Sequence, residues 1–270
     1  MPETEPPAAT APPDWQRWTQ ARDASVSRPH GPLALVATHW LTEGEGPGQQ
    51  FEGLPGRWAA QGGQVRVAAR ADEALLIDGT ALDGERLVNP DLSPDPTVLM
   101  YGARKLVPIL REGVLALRVY DPDSAARAVF AGLDRFPHDP GLVLAARYEP
   151  YIHSHVEKVL NADGAQRGLA LDGDVVFERD DVEFRLAATL EDGILSITFG
   201  DATNGPDTFG FRQLAVPAPR LGSDAVVVDF NRSKLPPCAF SDHFICPVPP
   251  VGNRLPVAVA AGEKRRRTRS

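Results

Sequence analysis

The sequence predicts a mainly β fold, an antiparallel sandwich or open barrel with a short N-terminal helix. Its apolar runs are short, and several alternate with polar residues at a period of two. In "QVRVAA", Val65 and Val67 share one face and Arg66 takes the other. Gly-Gly and Asp-Gly pairs, which suit tight antiparallel turns, separate these runs. Short strands joined by such turns are typical of sandwiches and barrels.

The first elements are a leader and a helix. Residues 1–13 are rich in Pro, Ala and Glu, a composition that predicts a disordered leader. In "DWQRWTQARDASVS", Asp14 is a suitable N-cap, so we expect a helix from about Trp15 to Ser25. The tryptophans at 15 and 18 are expected to dock this helix on the body of the protein.

A first β series completes residues 14–135. Gly-Gly at 62–63, Asp-Gly at 78–79 and Glu-Gly at 112–113 mark its predicted turns. The strand spacing of residues 33–121 is faintly similar to that of forkhead-associated β-sandwiches. The Arg and Ser side chains with which those modules hold a phosphothreonine have no clear counterparts, so the likeness concerns the fold.

A second β series with a proline-rich closure occupies residues 136–264. Asp-Gly pairs at 163–164, 172–173 and 192–193 predict its turns. A soft boundary falls between residues 134 and 140, and one continuous β structure or two domains both remain open. The basic residues 265–270 predict a solvated, disordered tail.

Composition limits the functional classes. The net charge of -8 over 270 residues disfavours a nucleic-acid binder, which needs a basic face. No apolar run approaches the ~18 residues needed to span a membrane, and the N-terminus lacks the pattern of a secretory signal. A cytoplasmic protein without a membrane segment is the expectation. Gly-x-Ser-x-Gly, P-loop and His-Glu-x-x-His motifs do not occur in the sequence.

The C-terminal part carries an ordered series of motifs. They are Phe199-x-Asp201-x-Thr203, Arg212, "DFN" at 229–231, "PPCAF" at 236–240, "CP" at 246–247, "NRL" at 253–255 and "AGEK" at 261–264. This series resembles the bacterial domain-of-unknown-function family 1684. Segments upstream, such as "RWTQARD" and "LRVYDPDS", are similar to the same family, so the resemblance spans about residues 14–264.

The resemblance implies a β-rich fold and no established activity. It supplies no catalytic residues and no cofactor, so whether the chain is an enzyme stays open. One position departs from the family pattern, since Phe209 stands where the family has a tyrosine before the arginine. This difference weakens any role that needs a phenol there.

Polar residues of these motifs are the candidate ligand contacts. They are Asp201, Thr203, Arg212, Asp229, Asn231, Asn253, Arg254 and Glu263. An arginine fork suits a carboxylate, so these residues predict either a buried network that ties the C-terminal segment to a sheet or a pocket for a small polar or anionic ligand. In the second case Asp229 or Glu263 is the candidate general base.

Two groups of residues are of the types that bind metals. Cys238, His243 and Cys246 fall short of the four ligands of a closed zinc site unless Asp229 or Asp242 completes it. Two buried thiols or a disulfide are the alternatives. His153 and His155 would share a strand face with Glu157, and a third histidine would have to come from position 39, 138 or 243. A solvent-facing histidine pair is the simpler interpretation, so no metal is favoured.

Three functional hypotheses follow. The first is a small-molecule-binding β protein, with or without catalysis, whose polar pocket lies near the C-terminal motifs. The second is a non-catalytic protein-interaction module in the first β series, with an unknown partner. The third is a metal-dependent enzyme that uses His153 and His155.

Overall fold

A computed structural model describes residues 11–161, 164 and 166–269. The predicted leader, residues 1–13, lies mostly outside the described residues. The described chain divides into two compact units. Unit 1 takes the described parts of 1–24, 131–239 and 246–267, and unit 2 takes those of 25–130, 240–245 and 268–270. Each unit draws on separate stretches of the chain, and the division into segments 14–135 and 136–264 stays a prediction.

The helix α1 spans Pro13–Val26, close to the predicted bounds. Asp14 lies in its first turn and is not the N-cap, because the helix begins at Pro13, a residue suited to the first helical position. The Trp15 indole donates a hydrogen bond to the Asn231 carbonyl at 3.1 Å. The Arg232 guanidinium lies over the Trp18 ring, 5.7 Å from its centroid. Both tryptophans therefore dock the helix on unit 1, as the sequence predicted.

Unit 2 is built from nine short strands and a helical turn, α2 (Ala125–Ala128). The strands are β1 (Leu35–Trp40), β2 (Arg57–Gln61), β3 (Gln64–Ala69), β4 (Leu75–Ile77), β5 (Thr80–Ala81), β6 (Gly84–Val88), β7 (Leu99–Tyr101), β8 (Arg104–Arg111) and β9 (Val114–Tyr120). They form a six-stranded sheet in the order β1-β9-β8-β7-β4-β5 and a three-stranded sheet in the order β2-β3-β6. All pairings between these strands are antiparallel.

The turn chemistry explains the hairpins of unit 2. Glu112 and Gly113 join β8 to β9 with φ angles of 53° and 81°, both in the left-handed region that a two-residue hairpin turn requires. Gly62 and Gly63 join β2 to β3 in the same way, with φ angles of 57° and 81°. The predicted turns at these positions are confirmed.

Unit 1 contains a barrel that is nearly closed. Its strands are β11 (Val143–Leu160), β12 (Gln166–Arg179), β13 (Val182–Glu191), β14 (Ile194–Phe199), β15 (Arg212–Pro217) and β16 (Ala225–Asp229). They pair antiparallel in the order β15-β14-β13-β12-β11-β16, and the two outer strands lie beside each other. A separate pair joins β10 (Phe130–Arg135) to β17 (Glu263–Thr268). The predicted mainly β class, with a barrel and an N-terminal helix, is confirmed.

Alternation places the core inside the barrel. In β16, Val226 and Val228 are buried while Ala225 and Val227 are exposed. The phenyl rings of Phe177, Phe199 and Phe230 meet at centroid distances of 5.5 and 5.6 Å in edge-to-face geometry. The barrel is therefore filled by side chains.

Two predicted loop features are strand in the structure. Asp172 and Gly173 lie inside β12 and make no turn; the hairpin turn falls at Asp180 and Asp181, with φ angles of 53° and 58°. The basic segment predicted as a disordered tail continues as β17 to Thr268, although its arginine side chains are exposed. In both places pairing with a neighbouring strand overrides the local composition. Asp163, of the predicted turn at 163–164, lies outside the described residues.

In the described part of the chain, none of the helices has both the length and the apolar character to traverse a lipid bilayer.

We predict that Gly173→Ala destabilises the protein. A Cβ atom at this position would lie 2.5 Å from Tyr148 Cε2 and 2.6 Å from the Glu149 carbonyl oxygen, so the backbone would have to move. Overpacking of this kind lowers the free energy of unfolding by about 1–3 kcal/mol. Urea unfolding should show the loss, whereas Gly210→Ala, where a Cβ meets no atom within 4 Å, should stay near wild type. Equal midpoints for the two variants would contradict the prediction.

Candidate functional site

A buried ion pair lies at the end of β14 and β15. Phe199 and Arg212 are paired across these strands, and both side chains face the interior. Arg212 Nη2 lies 2.7 Å from Asp201 Oδ2, and both side chains are 0% exposed. Burial lowers the pKa of the Arg212 guanidinium, and the charge and hydrogen bond of Asp201 oppose this effect.

The ion pair holds the C-terminal closure. Arg212 donates to the carbonyl of Val259 at 2.8 Å and to that of Ala261. Asp201 Oδ1 accepts the backbone N–H groups of Thr203 at 2.8 Å and of Val259 at 3.2 Å. One charge pair therefore satisfies the backbone of a segment that forms no regular strand.

Glu263 forms a second buried centre. Its carboxylate is 0% exposed and accepts from Arg22 Nε at 3.0 Å, from Arg135 Nη2 at 3.4 Å and from the Leu235 N–H at 2.7 Å. Arg135 also pairs with Asp23 at 2.7 Å. The carboxylate thus joins helix α1, strand β10 and the closure within unit 1.

Asp229 and Asn231 hydrogen-bond to the backbone. The Asn231 side chain exchanges two 2.8 Å hydrogen bonds with the backbone of Asp139. Asp229 Oδ1 accepts the Asn231 N–H at 3.0 Å and caps the short 3₁₀ turn Phe230–Arg232. Asp229 Oδ2 pairs with Arg232 at 3.0 Å.

The Asn253 side chain hydrogen-bonds to the backbone of β13, as a neighbouring strand would. Its side-chain amide accepts the Ala187 N–H at 2.8 Å and donates to the Ala187 carbonyl at 2.9 Å. It also donates to the Thr198 carbonyl at 2.9 Å. The next residue, Arg254, is exposed.

The structure therefore distributes the predicted ligand contacts over several places. Asp201, Thr203 and Arg212 come together, while Asp229 with Asn231, Asn253 and Glu263 lie in separate groups and Arg254 faces solvent. None of these residues lines any of the three cavities that follow. The arginines that complete the Glu263 site, at 22 and 135, escaped the sequence analysis because they lie far from it along the chain.

The cysteines are buried thiols with a contact of their own. Cys246 Sγ accepts a hydrogen bond from the Cys238 N–H at 3.2 Å, and no disulfide joins the two. Both belong to unit 1, whereas His243 belongs to unit 2. His243 O accepts a hydrogen bond from Thr38 in that unit.

His153 and His155 lie at an irregularity of the long hairpin. The pairing of β11 with β12 shifts between Pro150 and His155, and both histidines are exposed. The His155 ring contacts that of Tyr151 at 4.8 Å, and the Tyr151 hydroxyl donates to Asp174. Across residues 11–161, 164 and 166–269, no group of three or more His, Cys, Asp or Glu side chains is placed to hold a metal ion.

The surface cavities of the described residues include three that bear on function. The first, about 540 Å³ in unit 2, is rich in charged side chains, which include Arg57, Arg70, Glu73, Asp83 and Glu85. The second, about 430 Å³, lies at the β15–β16 edge of the barrel, and the third is a hollow of about 110 Å³ on β14 and β15.

Lys234 lines the smallest hollow and was not singled out from the sequence. Burial lowers the pKa of its ammonium group, and the nearby Arg22 lowers it further, while Glu263 opposes both. Its backbone exchanges two hydrogen bonds with Gln213. No spacing in the sequence identifies it, because only the fold brings it to β15.

Comparison with known proteins places the barrel in a family. A sequence profile of the family described as "Protein of unknown function (DUF1684)" matches residues 128–264, so the upstream segments that resembled the family lie outside the match. An NMR structure of an uncharacterized protein of Haloarcula marismortui is similar, with 29% identity over 51% of this chain and 77% of that one and a TM-score of 0.41. No curated protein matches the chain.

We predict that Arg212→Ala lowers the free energy of unfolding of the barrel. The substitution should not selectively remove ligand binding from the protein that stays folded. The substitution leaves the Asp201 carboxylate buried without its partner, which costs about 3–5 kcal/mol. Urea unfolding and near-ultraviolet circular dichroism measure the loss. Arg254→Ala, an exposed arginine of the same motif series, should change stability by no more than about 0.5 kcal/mol. A stable, native Arg212→Ala protein would show that the ion pair does not hold the closure.

We predict that Lys234→Met raises stability at neutral pH. The folded pKa of Lys234 lies below the usual 10.5, so the unfolded chain binds more protons between these two values. Wild-type stability should therefore rise with pH through that window, while the variant lacks this rise. Denaturant midpoints measured from pH 7 to 11 should show the variant ahead at pH 7 and the gap narrowing toward pH 11. A gap that is constant across this range would contradict the lowered pKa.

Proposed function

Because the chain belongs to the DUF1684 family of proteins of unknown function, whose name assigns no activity, we propose its function from its cavities: a small-molecule-binding β-barrel. The ligand is an apolar molecule with one anionic group, and its site is the 430 Å³ cavity at the β15–β16 edge. The observation that carries the proposal is an apolar cavity where the barrel lacks ladder hydrogen bonds.

The edge between β15 and β16 is an open seam. Strand β15 pairs with β14 on one side, and β16 pairs with β11 on the other. Within the described residues no β-ladder joins β15 to β16, although they lie side by side. Gln213 instead pairs with Lys234, which covers one end of the β15 edge. At the other end, toward Pro217, the described residues form no ladder between β15 and β16.

The cavity at that open end has the character of a ligand site. Its volume lies within the roughly 300–1,000 Å³ of small-molecule pockets. The lining is formed by Pro217, Ala218, Pro219, Arg220, Ser223, Ala225, Val226 and Val227. Only two of these side chains are polar, so the site favours binding of an apolar body over acid–base chemistry.

Arg220 supplies the anionic preference. Its guanidinium is exposed and has no hydrogen-bond or ion-pair partner within the described ranges. A guanidinium pairs well with a carboxylate or sulfonate. The neighbouring turn is fixed, because the Ser223 N–H donates to the Arg220 carbonyl at 3.0 Å. The backbone of Arg220 is therefore held at the rim of an apolar cavity, and its guanidinium has no partner among the described residues.

The polar residues of the C-terminal motifs have a supporting part in this proposal. Asp201 and Arg212 hold the closure against the barrel, and their charges are already matched. In this proposal Asp201 and Arg212 stabilise the barrel and do not contact the ligand, which binds beyond the end of β15.

The test uses a pair of fluorescent probes. We expect 8-anilinonaphthalene-1-sulfonate to bind saturably, and Val227→Trp to weaken it by about tenfold or more by filling the cavity. Val251→Trp is the matched control, since Val251 is 86% exposed and lies outside the cavity. Arg220→Gln should weaken the sulfonate probe while leaving the neutral N-phenyl-1-naphthylamine unchanged.

Several outcomes would overturn the proposal. Absence of saturable binding of both probes to the folded protein would do so. Equal binding by the Val227→Trp and Val251→Trp variants would place the site elsewhere. If Arg220→Gln weakened both probes alike, the anionic preference would be wrong.

A further inference from the structure

Four polar side chains meet on the outer face of β14 and β15. Thr198 and Gln213 are direct partners across the two strands, and Ser196 lies two residues before Thr198 on the same face. Gln213 and Lys234 exchange both backbone hydrogen bonds, so Lys234 extends the row from the other side. Ile197 and Leu214 alternate to the interior.

These side chains surround the hollow of about 110 Å³. Ser196, Thr198, Gln213 and Lys234 line it, and their polar groups have no side-chain hydrogen bond or ion pair elsewhere in the described structure. Two hydroxyls, an amide and an ammonium are all able to donate hydrogen bonds. Such a set of donors in one hollow is suited to an oxygen-rich anion.

The surrounding charges favour an anion as well. The charged groups that act on the Lys234 ammonium are the positive Arg22 and the negative Glu263. The Glu263 carboxylate is already bound by Arg22, by Arg135 and by the Leu235 N–H. The Lys234 ammonium has no ion pair of its own among the described residues, and it lines the hollow.

We propose that this hollow binds a tetrahedral oxyanion, a phosphate group in particular, through Lys234, Thr198, Ser196 and Gln213. The volume admits one such group and little more, so the rest of an organic phosphate would extend into solvent. An anion there would also stabilise the ammonium form of Lys234, whose pKa burial lowers. This site is separate from the apolar cavity at Pro217, which shares none of its lining residues.

The experiment is a titration of the full chain, at constant ionic strength, with inorganic phosphate and with phenyl phosphate. Backbone amide shifts in two-dimensional NMR report the place of binding. We expect saturable shifts at residues 196–198, 213–215 and 234. Lys234→Met should weaken binding by about tenfold or more because it removes a charged donor, and Thr198→Val should weaken it less. Lys158→Met, at an exposed lysine of β11, is the matched control and should bind as wild type.

The two ligands distinguish the source of the phosphate. Binding of inorganic phosphate indicates a site for the free ion, and binding of phenyl phosphate alone indicates the phosphate group of an organic ligand; either supports the site. Failure of both ligands to shift these amides would overturn the proposal. Unweakened binding by a folded Lys234→Met protein would do the same. Failure of this test would leave the proposal for the apolar cavity unaffected, because the two sites share no lining residues. The Val227→Trp substitution changes none of the four side chains that line the hollow.

Discussion

The buried pair of Asp201 and Arg212 is the interaction on which the C-terminal half depends. A charge pair with 0% exposure is favourable only when further hydrogen bonds complete it. Here those hydrogen bonds come from the backbone of residues 259–261 and from Thr203. The pair and the irregular closure therefore need each other, because each satisfies polar groups that the other would leave buried.

This constraint is the reason that our proposals place ligands away from the C-terminal motifs. The most polar motifs of the sequence are occupied within the protein, as Glu263 with its two arginines also shows. The groups left over are of two kinds. An apolar cavity lies where the barrel lacks a ladder, and the Lys234 ammonium, which has no ion pair among the described residues, lines a hollow on the outer face. In our proposals, the motif residues and the ligand-facing residues are therefore different sets.

The features that could be predicted from the sequence are those that depend on neighbouring residues, namely the hairpin turns and the β class. The φ angles at Glu112-Gly113 and Gly62-Gly63 follow from residue type, and the β class follows from the alternation between these turns. Asp172-Gly173 has the same composition as a turn, yet it continues β12 because strands on both sides pair with it and the Tyr148 ring packs against the glycine. The partners of Glu263 and the position of Lys234 at the hollow depend on contacts between residues distant in sequence. No spacing in the sequence could therefore reveal them.

Helix α1 belongs to the smallest part of the chain that can form the complete barrel unit. The family match begins at residue 128, yet Arg22 and Trp15, which lie more than a hundred residues earlier, complete the surroundings of Glu263 and Asn231. A gene fragment cut at the family boundary would encode every barrel strand and still leave one buried carboxylate short of an arginine. Recombination or circular permutation that preserves this half of the protein must therefore carry both segments.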